Sequence, residues 1–276
     1  MMLDAHRQSF SSYLDRLLSR GRLVLTPEQA QKDLGITRRA FIDAARRQQK
    51  KGNLVMPRQG FYVIVPPQYL AFGAPPPSLY IDSLMRHEGR PYYVGLLKAA
   101  ELHGASHQAV MQFQVVTDKR LPKIRAGRSV LAFYYRKDMD EVAEGLKEHK
   151  TEAGFIKISG IELTMLDLLR YPHAAAGLDH IATVLSDLGP RFDPYKLANL
   201  SAAFERTVVQ RLGYLLDKLG FGEQTGTLHG TLSRFRVLPW TELEPARAKT
   251  GVLKHEPIER DERWHVIVNR IPEIDE

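Results

Sequence analysis

Apolar residues at Phe10, Tyr13, Leu14, Leu17 and Leu18 recur at helical spacing. They predict a helix over residues 9–19, which Gly21 can end. A short β-prone run, Arg22-Leu-Val-Leu25, follows. Thr26 then reads as a helix N-cap, with Pro27 at the first helical position and Gln29 three residues after the cap. That is a capping-box pattern. This second helix ends near Leu34-Gly35, where the glycine supplies a tight turn. Thr37 caps a third helix that runs to about Lys51 and stops at Gly52-Asn53. Two β-prone runs, Leu54-Val-Met56 and Phe61-Tyr-Val-Ile-Val65, flank Pro57-Arg-Gln-Gly60 and predict a hairpin. Two helices joined by a Gly-containing turn, followed by a hairpin, make a winged helix-turn-helix.

The third helix carries the functional signal. At 100° per residue, Phe41, Ala44, Ala45 and Gln48 share a narrow face of small and apolar residues suited to packing. Arg39, Asp43, Arg46 and Lys50 fall opposite, flanked by Arg38, Ile42 and Arg47. A helix with a packed back and a cationic front fits a DNA major groove, where Arg reads guanine edges and Arg or Lys holds phosphates. Thr37 stands at its start. Arg58 and Gln59 occupy the predicted hairpin tip, in reach of backbone or minor groove. The plainer reading of the same pattern is a three-helix bundle with a solvated basic face, or a winged helix used for protein contacts.

Residues 65–77 hold five prolines and one glycine, which excludes a helix interior or a central strand. This stretch reads as a semi-rigid connector, and Tyr69, Leu70 and Phe72 are apolar enough to dock. The expected organisation is a winged helix-turn-helix over 1–66, a proline-rich linker over 67–77 and a second domain over 78–276. Beyond the linker the pattern mixes helix and strand. Helices are expected over 78–87, 93–103, 138–150, 161–169, 178–188, 194–203 and 206–219. Strands are expected over 111–117, 129–135, 155–158 and 264–269, with β-like character toward the end. The fold class is therefore α+β, with a larger mixed α/β C-terminal domain.

Charge sharpens this picture. The chain has 276 residues and a net charge of +7. Residues 1–77 hold 12 Lys+Arg against 5 Asp+Glu, whereas the remainder is balanced at 27 of each. A basic segment joined to a neutral body is the electrostatic outline of a nucleic-acid module plus something else. There is no cysteine, which excludes disulfides, thiolate zinc sites and cysteine nucleophiles and fits a reducing cytoplasm. No stretch approaches the roughly 18 consecutive apolar residues of a membrane helix, and residues 1–10 carry no apolar signal core. A membrane partner is not expected.

Signatures of catalysis are sparse. Gly220-Phe-Gly-Glu-Gln-Thr-Gly226 is glycine-rich but lacks the lysine of a phosphate loop, so it reads as a helix end and turn. His103 and His107 are four apart, a metal-ligand spacing, but Gly104 lies between them and a cap or core role fits better. Asp138, Asp140, Glu141 and Glu144 open a predicted helix, where acids suit the dipole. No catalytic residue, metal or cofactor is expected. Lys119, Arg120, Lys123, Arg125 and Arg128 form a basic run between two predicted strands, suited to DNA or protein contact or to a solvated loop.

Four stretches resemble the AbiEi antitoxin family of type IV toxin–antitoxin and phage-defence operons. They are Tyr92-Tyr-Val-Gly-Leu-Leu-Lys-Ala-Ala-Glu-Leu-His-Gly-Ala-Ser-His107, Phe113-Gln-Val-Val-Thr117, Ile161-Glu-Leu-Thr-Met-Leu-Asp-Leu-Leu-Arg-Tyr-Pro172 and Arg211-Leu-Gly-Tyr-Leu-Leu-Asp217. The resemblance spans about residues 9–269. It implies an N-terminal winged helix and a C-terminal antitoxin domain. It further implies repression of the protein's own operon through inverted repeats in double-stranded promoter DNA, and antagonism of a cognate nucleotidyltransferase-like toxin. Arg38, Arg39, Arg46, Arg47 and Lys50 occupy the place where such proteins contact DNA. Two other functional classes compete. One is a winged-helix protein with a C-terminal nuclease-type catalytic domain, for which Glu101, Asp118 and Lys119 are the nearest residues. The other is a protein-interaction module that binds no DNA.

Overall fold

A computed structural model describes residues 9–105, 110–244 and 257–273. The chain forms two compact units. The first comprises Met1–Tyr93, Met111–Lys137 and Glu148–Lys157, and the second Val94–Val110, Asp138–Lys147 and Ile158–Glu276.

The first unit opens with helix α1 (Phe10–Ser19), capped by Ser9, and strand β1 (Val24–Leu25). Helix α2 (Pro27–Leu34) is capped by Thr26 and ended by Gly35 at φ 63°, a left-handed conformation that favours glycine. Helix α3 (Arg38–Lys50) is capped by Thr37, and strands β2 (Leu54–Arg58) and β3 (Phe61–Ile64) follow. The strands pair in the order β1–β3–β2. A register shift between Val55 and Arg58 accommodates Pro57, which cannot donate to the ladder. The core under these elements is Tyr13, Leu14, Leu17, Leu25, Ala30, Phe41, Ala45, Leu54, Tyr62 and Ile64. Phe41 is its hinge-pin, meeting Phe10 edge-on at 5.7 Å and Tyr62 at 5.3 Å between ring centroids.

The first unit does not end at the wing. The proline-rich residues 67–77 belong to it, with Pro67–Phe72 in a 3-10 turn and Ala74, Pro75 and Pro77 buried. Helix α4 (Ile81–Glu88) and strands β4 (Tyr92–Val94), β5 (Phe113–Thr117), β6 (Ile124–Ala126) and β7 (Ser129–Tyr135) follow. With β8 (Leu146–Thr151) and β9 (Gly154–Ser159) they make a sheet in the order β6–β7–β5–β4–β9–β8. The chain passes between the units after Tyr93, Val110, Lys137, Lys147 and Lys157. Strands β5 and β7 run parallel, and β6 and β7 antiparallel.

The second unit is built on helix α6 (Ile161–Arg170), which is buried from Ile161 to Leu169. It lies among α5 (Leu96–Leu102), α7 (Leu178–Leu188), α8 (Pro194–Ser201) and α9 (Arg206–Leu216). Six of the nine buried residues of α6 are apolar, while the buried Glu162 accepts the Asp193 amide and the buried Thr164 hydroxyl donates to the Gly160 carbonyl. A short helix, α10 (Gly226–Gly230), and a small sheet in the order β10 (Thr241–Glu242), β12 (Val266–Val268), β11 (Glu259–Asp261) complete it. Trp264 is fully buried against Gly213 of α9, where an added Cβ would sit 2.2 Å from the indole ring.

Two expected helices are corrected. Residues 93–103 are not one helix, because Tyr92–Val94 is a buried strand and the helix starts only at Leu96, after Gly95. Aromatic and β-branched residues at 92–94 suit a strand buried on both faces. Residues 138–150 are a 3-10 turn over Asp140–Gly145 followed by β8. Gly145 lies so close to Leu163 that an added Cβ would be 3.0 Å away, and the chain beyond it joins the edge of the sheet. Lesser shifts are a 3-10 turn over Pro77–Leu79 before α4, and a π turn over Asp217–Phe221 after α9.

Candidate nucleic-acid interface

The candidate interface lies in the first unit and is set by α3. The Thr37 hydroxyl accepts the Ala40 amide at 3.3 Å, fixing where the helix starts. Phe41, Ala44, Ala45 and Gln48 are buried, as their spacing predicts, and the Gln48 side chain accepts from Asn53 at 2.9 Å. Arg38, Arg39, Asp43, Arg46, Arg47 and Lys50 are exposed, and Ile42 is half-buried between the two faces. Among the described residues, none of the five cations forms an ion pair. Five positive charges along 13 residues, faced by Asp43 alone on the same helix, make a surface that attracts polyanions. Arg46 also lies near the Tyr62 hydroxyl, which burial holds above the ordinary phenol range while the guanidinium acts in the other direction.

The cap of α2 forms in half. The Thr26 hydroxyl accepts the Gln29 amide at 3.3 Å, but the Gln29 side chain turns to Asp33 at 2.7 Å. Asp33 also accepts the Tyr13 hydroxyl at 2.8 Å, tying α1 to α2. The hydrogen bond from Tyr13 comes first among the causes that hold its carboxyl below the usual range, with Gln29, Arg22 and Arg16 adding to it.

At the wing the two expected residues part company. Gln59 is exposed, and its carbonyl lies 3.1 Å from His87 Nε2. Arg58 is drawn inward. Its Nε lies 2.8 Å from Glu88, its Nη2 donates to the Pro122 carbonyl at 3.0 Å, and the guanidinium lies 5.9 Å from the Phe133 ring. Its charge is thus spent on anchoring the wing to α4 and to the residues around β6.

The basic run 119–128, expected between two strands, contains a strand of its own, β6, which carries Arg125. Strand β2 packs on β6 in the first unit, and Lys119, Arg120, Lys123, Arg125 and Arg128 are all exposed there. Arg120 covers the Tyr135 ring at 4.8 Å and Arg128 the Phe72 ring at 5.5 Å. The spacing of these cations was visible in the chain. Their position was not, because it depends on packing between strands some seventy residues apart.

The remaining candidate chemistry is occupied by structural roles. In the second unit the His103 ring lies 2.7 Å from the Ser159 carbonyl, and burial lowers its pKa. His107 lies outside the described residues. Glu101 pairs with Lys98, and in the first unit Asp118 lies 3.5 Å from Arg90. The glycine-rich segment is a turn, with Gly220 at φ 89°. Among the described residues, no group of three or more His, Asp or Glu side chains is placed to hold a metal, and no helix is long and apolar enough to cross a membrane.

Residues 93–218 match the family model of the AbiEi antitoxin C-terminal domain, and residues 12–65 match that of the transcriptional regulator, AbiEi antitoxin. No curated protein matches the chain. The fold is similar to the crystal structure of the RV2827C protein from Mycobacterium tuberculosis, with a TM-score of 0.68 and 18% identity over 94% of this chain and 90% of that one.

Proposed function

Since the chain belongs to the AbiEi family of antitoxin transcriptional regulators, we propose that it binds inverted repeats in the double-stranded DNA of its own promoter, represses that operon and counteracts a nucleotidyltransferase-like toxin. The observation that carries this reading is the two-sided α3, apolar and buried behind, cationic and free of ion pairs with described residues in front. Entering the major groove, Arg39 and Arg46 read base edges while Arg38, Arg47 and Lys50 hold phosphates. Thr37, Ile42 and Asp43 lie on the approach to the bases. Gln59 at the wing tip reaches backbone or minor groove, and Arg58 keeps the wing in place through Glu88. The cations of the 119–128 run, beside wing strand β2, add phosphate contacts.

An inverted repeat takes two copies of the chain related by two-fold symmetry, a pairing that monomers can form on the DNA itself. The reading involves no catalysis and implies action in the cytoplasm. A reporter fused to the protein's own promoter tests it. The intact chain should silence the reporter, and the doubly substituted R39A/R46A chain should not. Equal reporter output from the two would remove α3 from repression. Co-expression with the cognate toxin tests the second half: growth should be rescued by the intact chain.

A further inference from the structure

The first unit holds a cleft of about 390 Å³ that the DNA-binding reading does not use. Its volume falls within the roughly 300–1,000 Å³ of small-molecule sites. Val24 and Leu79 supply the apolar side chains, since Leu23 and Leu25 lie on the other face of the extended chain, and Arg22, Ser83 and Arg86 supply the polar groups. Two further lining side chains are already engaged: Thr26 caps α2, and Gln29 donates to Asp33. Arg86 pairs with Asp82 at 2.7 Å on its own helix. The Arg22 guanidinium and the Ser83 hydroxyl make no hydrogen bond or ion pair with a described residue. No carboxylate lines the cleft.

The cleft therefore offers the Arg22 guanidinium, which acts on Asp33 without bonding it, the Ser83 hydroxyl, and those Arg86 donors that its surface pair with Asp82 leaves over, beside an aliphatic patch. Such donors suit an anion with several acceptor oxygens, because charge-assisted bonds to a phosphate are stronger than neutral ones and arginine can meet it with two parallel donors. The aliphatic patch suits an apolar organic body attached to that anion. We propose that this cleft binds a small organic phosphate of mononucleotide size, with Arg22, Arg86 and Ser83 on the phosphate and Val24 and Leu79 against the organic part. This proposal stands apart from the promoter reading.

Titration calorimetry of the full chain tests it, with AMP, adenosine and inorganic phosphate as probes. AMP should bind, and adenosine and inorganic phosphate should each bind about tenfold or more weakly, since each lacks one half of the recognised group. Arg22→Gln and Arg86→Gln should each weaken AMP binding by about tenfold, a shift typical of losing one charge-assisted contact. Both side chains are at the surface, and thermal melts confirm that the variants fold. Arg20→Gln, outside the cleft, should leave AMP binding unchanged. Arg46→Gln should also leave it unchanged, which separates the cleft from loose nucleotide association with α3. The proposal is overturned if AMP fails to bind. It is equally overturned if AMP binds no better than inorganic phosphate, or if its binding depends on Arg46 rather than on Arg22 and Arg86.

Discussion

The Arg58 Nε lies 2.8 Å from the Glu88 carboxylate, an ion pair that joins the end of strand β2 to helix α4 with both side chains at most one-fifth exposed. Strand β2 is short and interrupted at Pro57, so it has few ladder bonds of its own to hold it. The pair, the Pro122 carbonyl and the Phe133 ring together fix the wing relative to α4 and β6. Removing either partner strands the other charge in a half-buried setting. Arg58→Ala and Glu88→Ala should each cost about 1–3 kcal/mol in urea unfolding. Wild-type stability in both variants would show the pair to be incidental.

Base reading and phosphate holding predict different losses on α3 and beside the wing. Arg39→Ala or Arg46→Ala should cost about 1–3 kcal/mol on promoter DNA and less on a scrambled duplex. Lys123→Ala should weaken both duplexes alike and reduce the salt slope by about one. Equal losses on the two duplexes for Arg39→Ala would remove that residue from base reading.

The starting point of α3 rests on Gly35 and Thr37. Gly35→Ala places a Cβ at φ 63° and should destabilise the chain by roughly 1 kcal/mol. Thr37→Ala removes the acceptor for the Ala40 amide and should cost about the same. Thr37→Ser keeps the acceptor and should restore stability, which a melting curve reads directly.

In the second unit, Gly213 and Trp264 are packed without room for a methyl group. Gly213→Ala should cost about 1–3 kcal/mol or more, because neither α9 nor the indole can yield without opening the core. A melting temperature unchanged from wild type would contradict this packing.

Acid should loosen the tie between α1 and α2. The folded-state pKa of Asp33 lies below its ordinary value of 3.8, chiefly through the Tyr13 hydroxyl. Its contribution is therefore full above that value and is lost as pH falls through the depressed one. Tyr13→Phe should be less stable than wild type at neutral pH, and the gap should narrow as pH drops below about 3.8. A gap independent of pH would show that the hydroxyl does not act through the ionised carboxylate.

The winged helix was legible in the sequence because its signals are local. Caps at Thr26 and Thr37, the turn at Gly35 and the Phe41–Gln48 face each depend on residues within one or two helical turns. The misread segments are those in which long-range pairing overrode local pattern. Residues 138–150 carry a helix-like spacing, yet 146–151 form an edge strand because β9 lies alongside. Tyr92–Val94 continues apolar into α5, and only its place in the sheet marks it as a strand. The same limit governs the candidate site. The cations of α3 could be assigned from helical phase, whereas the inward turn of Arg58 depends on Glu88, thirty residues later.

The proposed repression depends on sequence-specific DNA binding through α3. It is tested most directly by titrating the chain against a labelled duplex from upstream of its own gene, beside a scrambled duplex, at two salt concentrations. The promoter duplex should be preferred by about a thousandfold or more. The log–log salt slope should lie near −5, as expected when about six cations meet phosphates. Weak and equal binding to both duplexes would contradict sequence-specific binding through α3.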